Sequence, residues 1–315
     1  MTPGRACVAG ATGYLGHRVV AELRAHGRPV TAILKDCGRA ADQIRLAAAG
    51  ADLAFVDAAR REPYGEALAG ATVAISCMAS SDVGVDATDD FLAIDRDANI
   101  RFGREAVQVG AAHVILVATF EGRASRRLTA FSDAKECAVD AIGGACRAAG
   151  ALFTVIRPTA YFSDLTDRAF DSVFAHDLHT VVGDGRHRIN PVDGEDVAAF
   201  LADGIDDPAW AGREHPVGGP DIFSFREIGL LAAEVIGRPR PPRIRSIPIW
   251  SLRCLADLAA AAGLVSPFSR RSAALLRWMI YSGTHDAIAP ACGARHLRDA
   301  FRAKYAALPS RLPAA

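Results

Sequence analysis

The stretch Gly10-Ala11-Thr12-Gly13-Tyr14-Leu15-Gly16 follows an apolar run, Ala6-Cys7-Val8-Ala9, and precedes Val19, Val20 and Leu23 at helical spacing. This order predicts a β-strand, a glycine-spaced turn and a helix. Such a junction gathers backbone N–H groups at a helix N-terminus. Both the amides and the helix dipole favour anionic oxygens there, so the turn suits a pyrophosphate. The three glycines divide the work between a tight turn, close approach of phosphates and close packing of helix on strand. The spacing is G-x-x-G-x-x-G rather than G-x-G-x-x-G, so the dinucleotide fingerprint is matched closely in context and loosely in spacing.

Outward from this turn the first half of the chain alternates short apolar runs with helical patterns. Strands are expected at Val30–Leu34, Ala51–Val56, Thr72–Cys77, Val114–Val117 and Phe153–Ile156, with helices at 15–26, 39–49, 63–69, 90–110 and 132–149. Buried strands alternating with helices imply a parallel sheet covered on both faces. Right-handed crossovers then give the α/β, doubly wound Rossmann arrangement, whose ligands sit beyond the carboxyl ends of the strands. From about 160 the rhythm changes. Glycine and proline punctuate 183–191 and Gly218-Gly219-Pro220, and Arg238 to Pro242 can hold no regular helix. Helices are expected from Gly194 and near 249–262, 269–281 and 294–307. The expected organisation is an NAD(P)-binding domain over 1–160 and a smaller, mainly helical substrate lobe over 161–315, which returns elements to the sheet at about 185–240.

Composition narrows the function classes. Of 315 residues half are hydrophobic, and the formal net charge is zero, which argues against a nucleic-acid partner. Seven cysteines without a CxxC pair, and an N-terminus that runs straight into a strand, point to reduced thiols in the cytoplasm. Arg253 and Asp257 interrupt the apolar stretch Ile247–Phe268, so an amphipathic or buried helix is expected there, with no stable membrane insertion. His176 and His179 lack a carboxylate or thiol to complete a metal site and are expected on a solvated helix end. No G-x-S-x-G elbow occurs. Cys77, without a local histidine, is expected as a small apolar filler.

Chemistry-bearing residues are sought after each strand. Gly10, Thr12, Gly13, Tyr14, Leu15 and Gly16 form the expected diphosphate turn. Lys35 ends the second strand, where an acid would bind the ribose 2′-OH of NAD and a base the 2′-phosphate of NADP. NADP(H) is therefore expected, with NAD(H) as the alternative, since Asp36 supplies an opposing charge. Asp57 follows the third strand and either meets the adenine or closes the strand. Cys77, Met78 and Ala79 follow the fourth, where small residues let the backbone approach a cofactor. Only Lys35, Lys135 and Lys304 break an otherwise all-arginine set of basic residues. A retained lysine suggests a task for a compact ammonium. Lys135 either orients the nicotinamide ribose or acts as acid or base. Ala118 and Thr119 end the fifth strand, and Thr119 is a candidate catalytic hydroxyl. After the sixth strand Pro158 and Thr159 can lie along the nicotinamide. Tyr161 is either a proton donor or a packed aromatic.

With these residues in place the chain resembles an atypical short-chain dehydrogenase/reductase of the NmrA-like group, nearest to the NADPH-dependent divinyl (proto)chlorophyllide 8-vinyl reductases. The matching pieces are Gly10 to Gly16, Ser76-Cys-Met-Ala-Ser80, Ile94-Asp95, Phe131-x-x-Ala-Lys135, Arg157-Pro-Thr-Ala-Tyr-Phe162, Gly183-Asp-Gly185, Gly218-Gly-Pro220, Ile247-Pro248 and Cys292 to Phe301. Ordinary short-chain dehydrogenases carry Tyr-x-x-x-Lys where this chain has Phe131 and Lys135, and a serine near Ala118. Phenylalanine at position 131 fits the vinyl reductase group. The resemblance implies hydride delivery to a conjugated carbon–carbon double bond. Ala118-Thr119, Phe120–Thr129 and Tyr281–Asp286 depart from that family's pattern, which points to another conjugated, polycyclic small molecule as substrate. A non-catalytic NADP(H) sensor and a cofactor-retaining epimerase or dehydratase are the alternatives.

Overall fold

The computed structural model of the chain describes residues 3–35, 40–80, 92–263 and 267–308. Asp36 and the expected helix starts at 39 and 90 lie outside the described residues. The chain divides into two compact units, Met1–Pro158 with Gly194–Pro216, and Thr159–Asp193 with Val217–Ala315.

The first unit runs β1 (Ala6–Ala9), α1 (Gly16–Ala25), β2 (Val30–Leu34), α2 (Ala40–Ala48), β3 (Asp52–Phe55), β4 (Val73–Ser76), α3 (Asn99–Gln108), β5 (His113–Val117), α4 (Gly122–Ser125), α5 (Ala130–Ala149), β6 (Leu152–Pro158), α6 (Gly194–Gly204) and β7 (Glu214–Val217). The seven strands lie in the order β3-β2-β1-β4-β5-β6-β7. β1 pairs in parallel with both β2 and β4, so that Val8 lies between Ala32 and Ile75. The chain order reverses at β1, which opens a crevice at the carboxyl ends of β1 and β4. The glycine turn leaves β1 at that point. β1, β2 and β4 are buried at every residue, which is why they read as mostly apolar runs, with Thr31 and Ser76 the exceptions. Phe102, Leu116 and Ile142 pack into one core under the sheet with Leu68.

Three departures from the sequence expectations have local causes. Residues 63–69 form turns, not a helix. Pro63 opens the segment, Gly65 interrupts it and Gly70 follows it, leaving too few residues to repay helix nucleation. Tyr64 anchors it instead, with its amide on Glu105 Oε2 at 2.6 Å and its ring edge-on to Phe102. The segment expected as one helix from 90 is a π-helical turn, Leu92–Ala98, that leads into α3. β7 reads Glu-His-Pro-Val and has no strand-like alternation, yet it forms the sheet's last strand beside β6.

The second unit is mainly helical, with helices at Phe162–Leu165, Asp171–His176, Phe225–Ile236, Ile249–Ala262, Pro267–Ser282 and Leu297–Ala306. It also carries two strand pairs, Leu178–Val182 with Arg243–Ile247 and Arg188–Ile189 with Phe223–Ser224. Phe170, Ile228, Leu231, Leu297 and Phe301 form its core. Ser224 and Glu227 make a reciprocal capping box at the start of Phe225–Ile236, and Gly237 closes that helix at φ +78°. His179 is not on a solvated helix end. It lies buried on a strand, its Nε2 2.8 Å from the Phe225 carbonyl, and burial lowers its pKa. Among the described residues no helix is long and apolar enough to cross a membrane.

Candidate functional site

Gly10 turns the chain out of β1 at φ +74°, a conformation disfavoured for side chains with a Cβ. A Cβ there would stand 2.9 Å from the Cys77 carbonyl carbon and oxygen and the Met78 nitrogen. A Cβ on Gly16 would overlap the Gly10 carbonyl oxygen, whereas Gly13 is exposed with only that oxygen nearby. Two of the turn's amides are used internally: Gly13 donates to Gly10 O at 3.0 Å and Ala11 to Ile33 O at 3.4 Å. α1 begins with no side-chain cap and no acid in its own first turn, so its positive end is left without a capping side chain among the described residues. The Leu15 side chain is buried in the core. Tyr14 turns its hydroxyl to the Gly194 amide at 3.2 Å, with the Arg18 guanidinium over its ring. These two residues therefore offer the site backbone rather than side chain. Arg45, which sequence reading passed over, brings its guanidinium 3.5 Å from the Thr12 carbonyl. Burial pushes the pKa of His17, beside Gly13, down; a hydrogen bond from its ring to Gly13 opposes this, and Arg18 and Arg45 add to it.

At the ends of β2 and β3 the structure brings Lys35 and Asp57 together. Lys35 Nζ is half-exposed and 3.9 Å from Asp57 Oδ2. The Asp57 carboxylate accepts the amides of Ala59 and Arg60 at 3.0 and 3.2 Å, so it closes the turn after its strand. Arg60 Nε is 3.5 Å from the same carboxylate. Lys35 thus stands half-exposed at the carboxyl end of β2, with Asp57 as its ion-pair partner.

The loop after β4 is the most heavily bonded part of the site. Cys77 donates its amide to Ala9 O at 2.9 Å, and the Tyr64 hydroxyl donates to Met78 Sδ at 3.4 Å. Burial drives the Cys77 thiol up to about 12, against the pull of Lys135, so this thiol is no nucleophile. Lys135, on α5, is 5% exposed. Its Nζ donates to Met78 O at 2.5 Å and pairs with Asp95 Oδ1 at 3.0 Å. Asp95 Oδ2 accepts the amide and hydroxyl of Ser80 at 3.1 and 2.7 Å. Buried Asn99 accepts from Ser76 Oγ at 2.6 Å and donates to the carbonyls of Met78, Ile94 and Asp95. Sequence reading quoted Asp95 without giving it a role and missed Asn99. The signal is weak, because Asp95 and Asn99 lie four apart in a stretch that also carries Arg96, Asp97 and Arg101.

Ala118 is buried at the end of β5, with its amide on Ile156 O at 2.8 Å. The Thr119 hydroxyl is buried with no hydrogen-bond partner among the described residues, and it faces the same point beside Gly122 as the Glu136 carboxylate. Phe131 is buried at the first turn of α5, whose cap is Thr129, accepting the Ser132 amide at 3.1 Å. Behind these residues Arg157 is held by buried Glu136 at 2.6 Å, by Glu214 at 2.9 Å and by the Thr119 carbonyl. Pro158 is buried at the end of β6. Thr159 and Tyr161 belong to the second unit. There Thr159 Oγ1 donates to Asn190 O at 2.6 Å, and the Tyr161 amide donates to Asp164.

These residues fit a dinucleotide. Gly10 and Gly16 bring the turn, the β4 loop and α1 closer together than any side chain would allow. α1 leaves its dipole open, and Lys35 and Arg45 supply positive charge near the mouth. A doubly wound sheet with such a turn at its switch point defines a nucleotide-cofactor-binding protein. A family model described as NAD(P)H-binding matches residues 10–208, and the chain belongs to that family. It is 31% identical over 275 residues to the divinyl chlorophyllide a 8-vinyl-reductase, chloroplastic, of Oryza sativa subsp. indica, covering 80% of this chain and 64% of that protein. The corresponding Zea mays protein is 32% identical over 271 residues, with 80% and 65% covered. The chain therefore spans a little under two thirds of these curated relatives. Among solved structures, the fold is similar to an NADPH-dependent quinone oxidoreductase (QOR2) complexed with NADPH from Escherichia coli (TM-score 0.70, 16% identity, 95% and 99% covered). It is also similar to AtPrR2 with NADP+ and (+)pinoresinol (TM-score 0.72, 14% identity, 96% and 98% covered).

Proposed function

We propose that this chain is an NADPH-dependent reductase that delivers hydride to a conjugated C=C or C=O bond of a polycyclic or otherwise conjugated small molecule, working in the cytoplasm. The carrying observation is the buried Lys135, tied through the Met78 carbonyl to the loop that packs against Gly10. NADPH, when bound, supplies the hydride. The amides of Thr12 and of Tyr14 to Gly16, with the end of α1, hold its diphosphate, and Lys35 meets the 2′-phosphate, which favours NADP(H) over NAD(H). Asp57 lies on the adenosine side, and Cys77, Met78, Ala79 and Ala118 provide close backbone along the cofactor. Lys135 holds the nicotinamide ribose, with Pro158 beside the ring. Hydride addition to a conjugated system leaves negative charge on the substrate, and a fixed ammonium stabilises it. Within the first unit, Thr119 is the hydroxyl proposed for proton transfer.

The resemblance to vinyl reductases supports the C=C reading. The non-catalytic sensor is the second reading. It is favoured by the buried Phe131 and Ala118 and by the Thr119 hydroxyl, which is closed to solvent. NADPH oxidation measured with divinyl chlorophyllide and with a panel of quinones separates the two. Turnover that disappears in a folded Lys135→Ala variant supports the reductase. NADPH binding with no oxidation across the panel favours the sensor.

A further inference from the structure

The loop leaving β4 and the ammonium of Lys135 meet on a single carboxylate. Asp95 Oδ1 is 3.0 Å from Lys135 Nζ, while Asp95 Oδ2 takes both donors of Ser80. Both charged side chains are buried. Removing two ions from water is costly, and the pair is sound only where the remaining lone pairs are also satisfied. Here both carboxylate oxygens have donors. Asp95 sits in the π-helical turn Leu92–Ala98, a rare form that recurs at functional sites. Asn99 fastens that turn by binding the Asp95 carbonyl and, through Ser76 and Met78, the end of β4. The path therefore runs from the β4 loop, against which Gly10 packs, by hydrogen bonds from Ser80 to Asp95 and by an ion pair from Asp95 to Lys135.

We propose, resting on the reading of Lys135 as the ribose-holding cation, that Asp95 is its positioning residue. An ammonium has three donors. Met78 O accepts from one of them, and the Asp95 carboxylate holds the ammonium at 3.0 Å as its ion-pair partner. Ser80 and Asp95 also lock the lysine to the loop beside the glycine turn. The spacing between the diphosphate grip and the ribose grip is thereby set within one network. In this role Lys135 acts as a fixed cation rather than a side chain that swings to donate a proton.

The test uses the full chain with NADP+ as the probe. Lysine occurs at only three positions, so protein labelled with 13C-lysine gives three resolvable side-chain signals, assigned by substitution. Calorimetry is expected to show roughly tenfold weaker NADP+ binding in Asp95→Asn, because one partner of a buried pair is lost. The Lys135 signal should lose its NADP+-induced shift while the Lys35 signal keeps its own, and Asp95→Glu should recover part of the affinity. In a Lys135→Ala background Asp95→Asn should add no further loss. If Asp95→Asn does not fold, Ser80→Ala replaces it, with a loss of a few-fold expected only when Lys135 is present. Wild-type affinity and an unchanged Lys135 response in Asp95→Asn overturn the inference, as do losses that simply add. Unchanged affinity in Lys135→Ala overturns the reading of Lys135 itself, and the role of Asp95 falls with it.

Discussion

Replacing Gly10 with alanine tests the turn on which the site is built, and Gly27 provides an internal control. The two glycines have nearly the same backbone, φ +74° and φ +73°. A Cβ on Gly27 would meet nothing within 4 Å, whereas on Gly10 it would stand 2.9 Å from three backbone atoms of Cys77 and Met78. Gly27→Ala therefore carries only the left-handed conformational cost, about 1–2 kcal/mol. Gly10→Ala carries that cost and the overpacking of backbone that cannot rotate away, a further ~1–3 kcal/mol. At about 2–4 °C per kcal/mol for a unit of this size, Gly10→Ala should melt several degrees below Gly27→Ala. It should also lose NADP(H) affinity, because the β4 loop and the turn are pushed apart, while Gly27→Ala binds normally. Thermal melts followed by circular dichroism, with calorimetric titration of NADPH, read both effects. Equal melting temperatures and equal affinities for the two variants would refute the reasoning.

Three further outcomes are expected. Lys35→Glu should weaken NADP(H) binding about tenfold or more and leave NAD(H) binding nearly unchanged, as parallel calorimetric titrations would show. Glu136→Ala should cost about 3 kcal/mol in urea unfolding, at an unchanged slope, because it leaves the buried Arg157 with Glu214 as its remaining carboxylate. Burial alone would raise the Glu214 carboxyl, but Arg123 and Arg157 outweigh it and hold it below its ordinary 4.5. Its stabilisation is thus present above pH 4.5 and is lost as pH falls through the folded value, so unfolding curves of wild type and Glu214→Gln should converge on acidification.

The sheet was legible because β1, β2 and β4 are buried throughout and are mostly apolar, with Thr31 and Ser76 their only polar residues. The glycine turn was legible because its backbone demands are local. Elsewhere the determinants are distant in sequence. Asp95 and Lys135 are forty positions apart, and nothing in either neighbourhood announces a buried ion pair. Glu136 reads as a surface residue of an amphipathic helix until β6 delivers Arg157 to it. β7 has a proline and no alternation, and it is a strand only because β6 offers it an edge. At 63–69 the apolar spacing looked helical, but Pro63, Gly65 and Gly70 and the pull of Tyr64 into the core outweighed it. His179 was misread because its burial comes from Phe225, forty-six residues on.

Titration of NADPH into the intact chain tests the central claim most directly: that the glycine turn, the open end of α1 and the Lys35 cation together hold a dinucleotide. Saturable binding at a single site, weakened by Gly10→Ala and by Lys35→Glu, is the predicted result. A folded chain that binds neither NADPH nor NADH would contradict it.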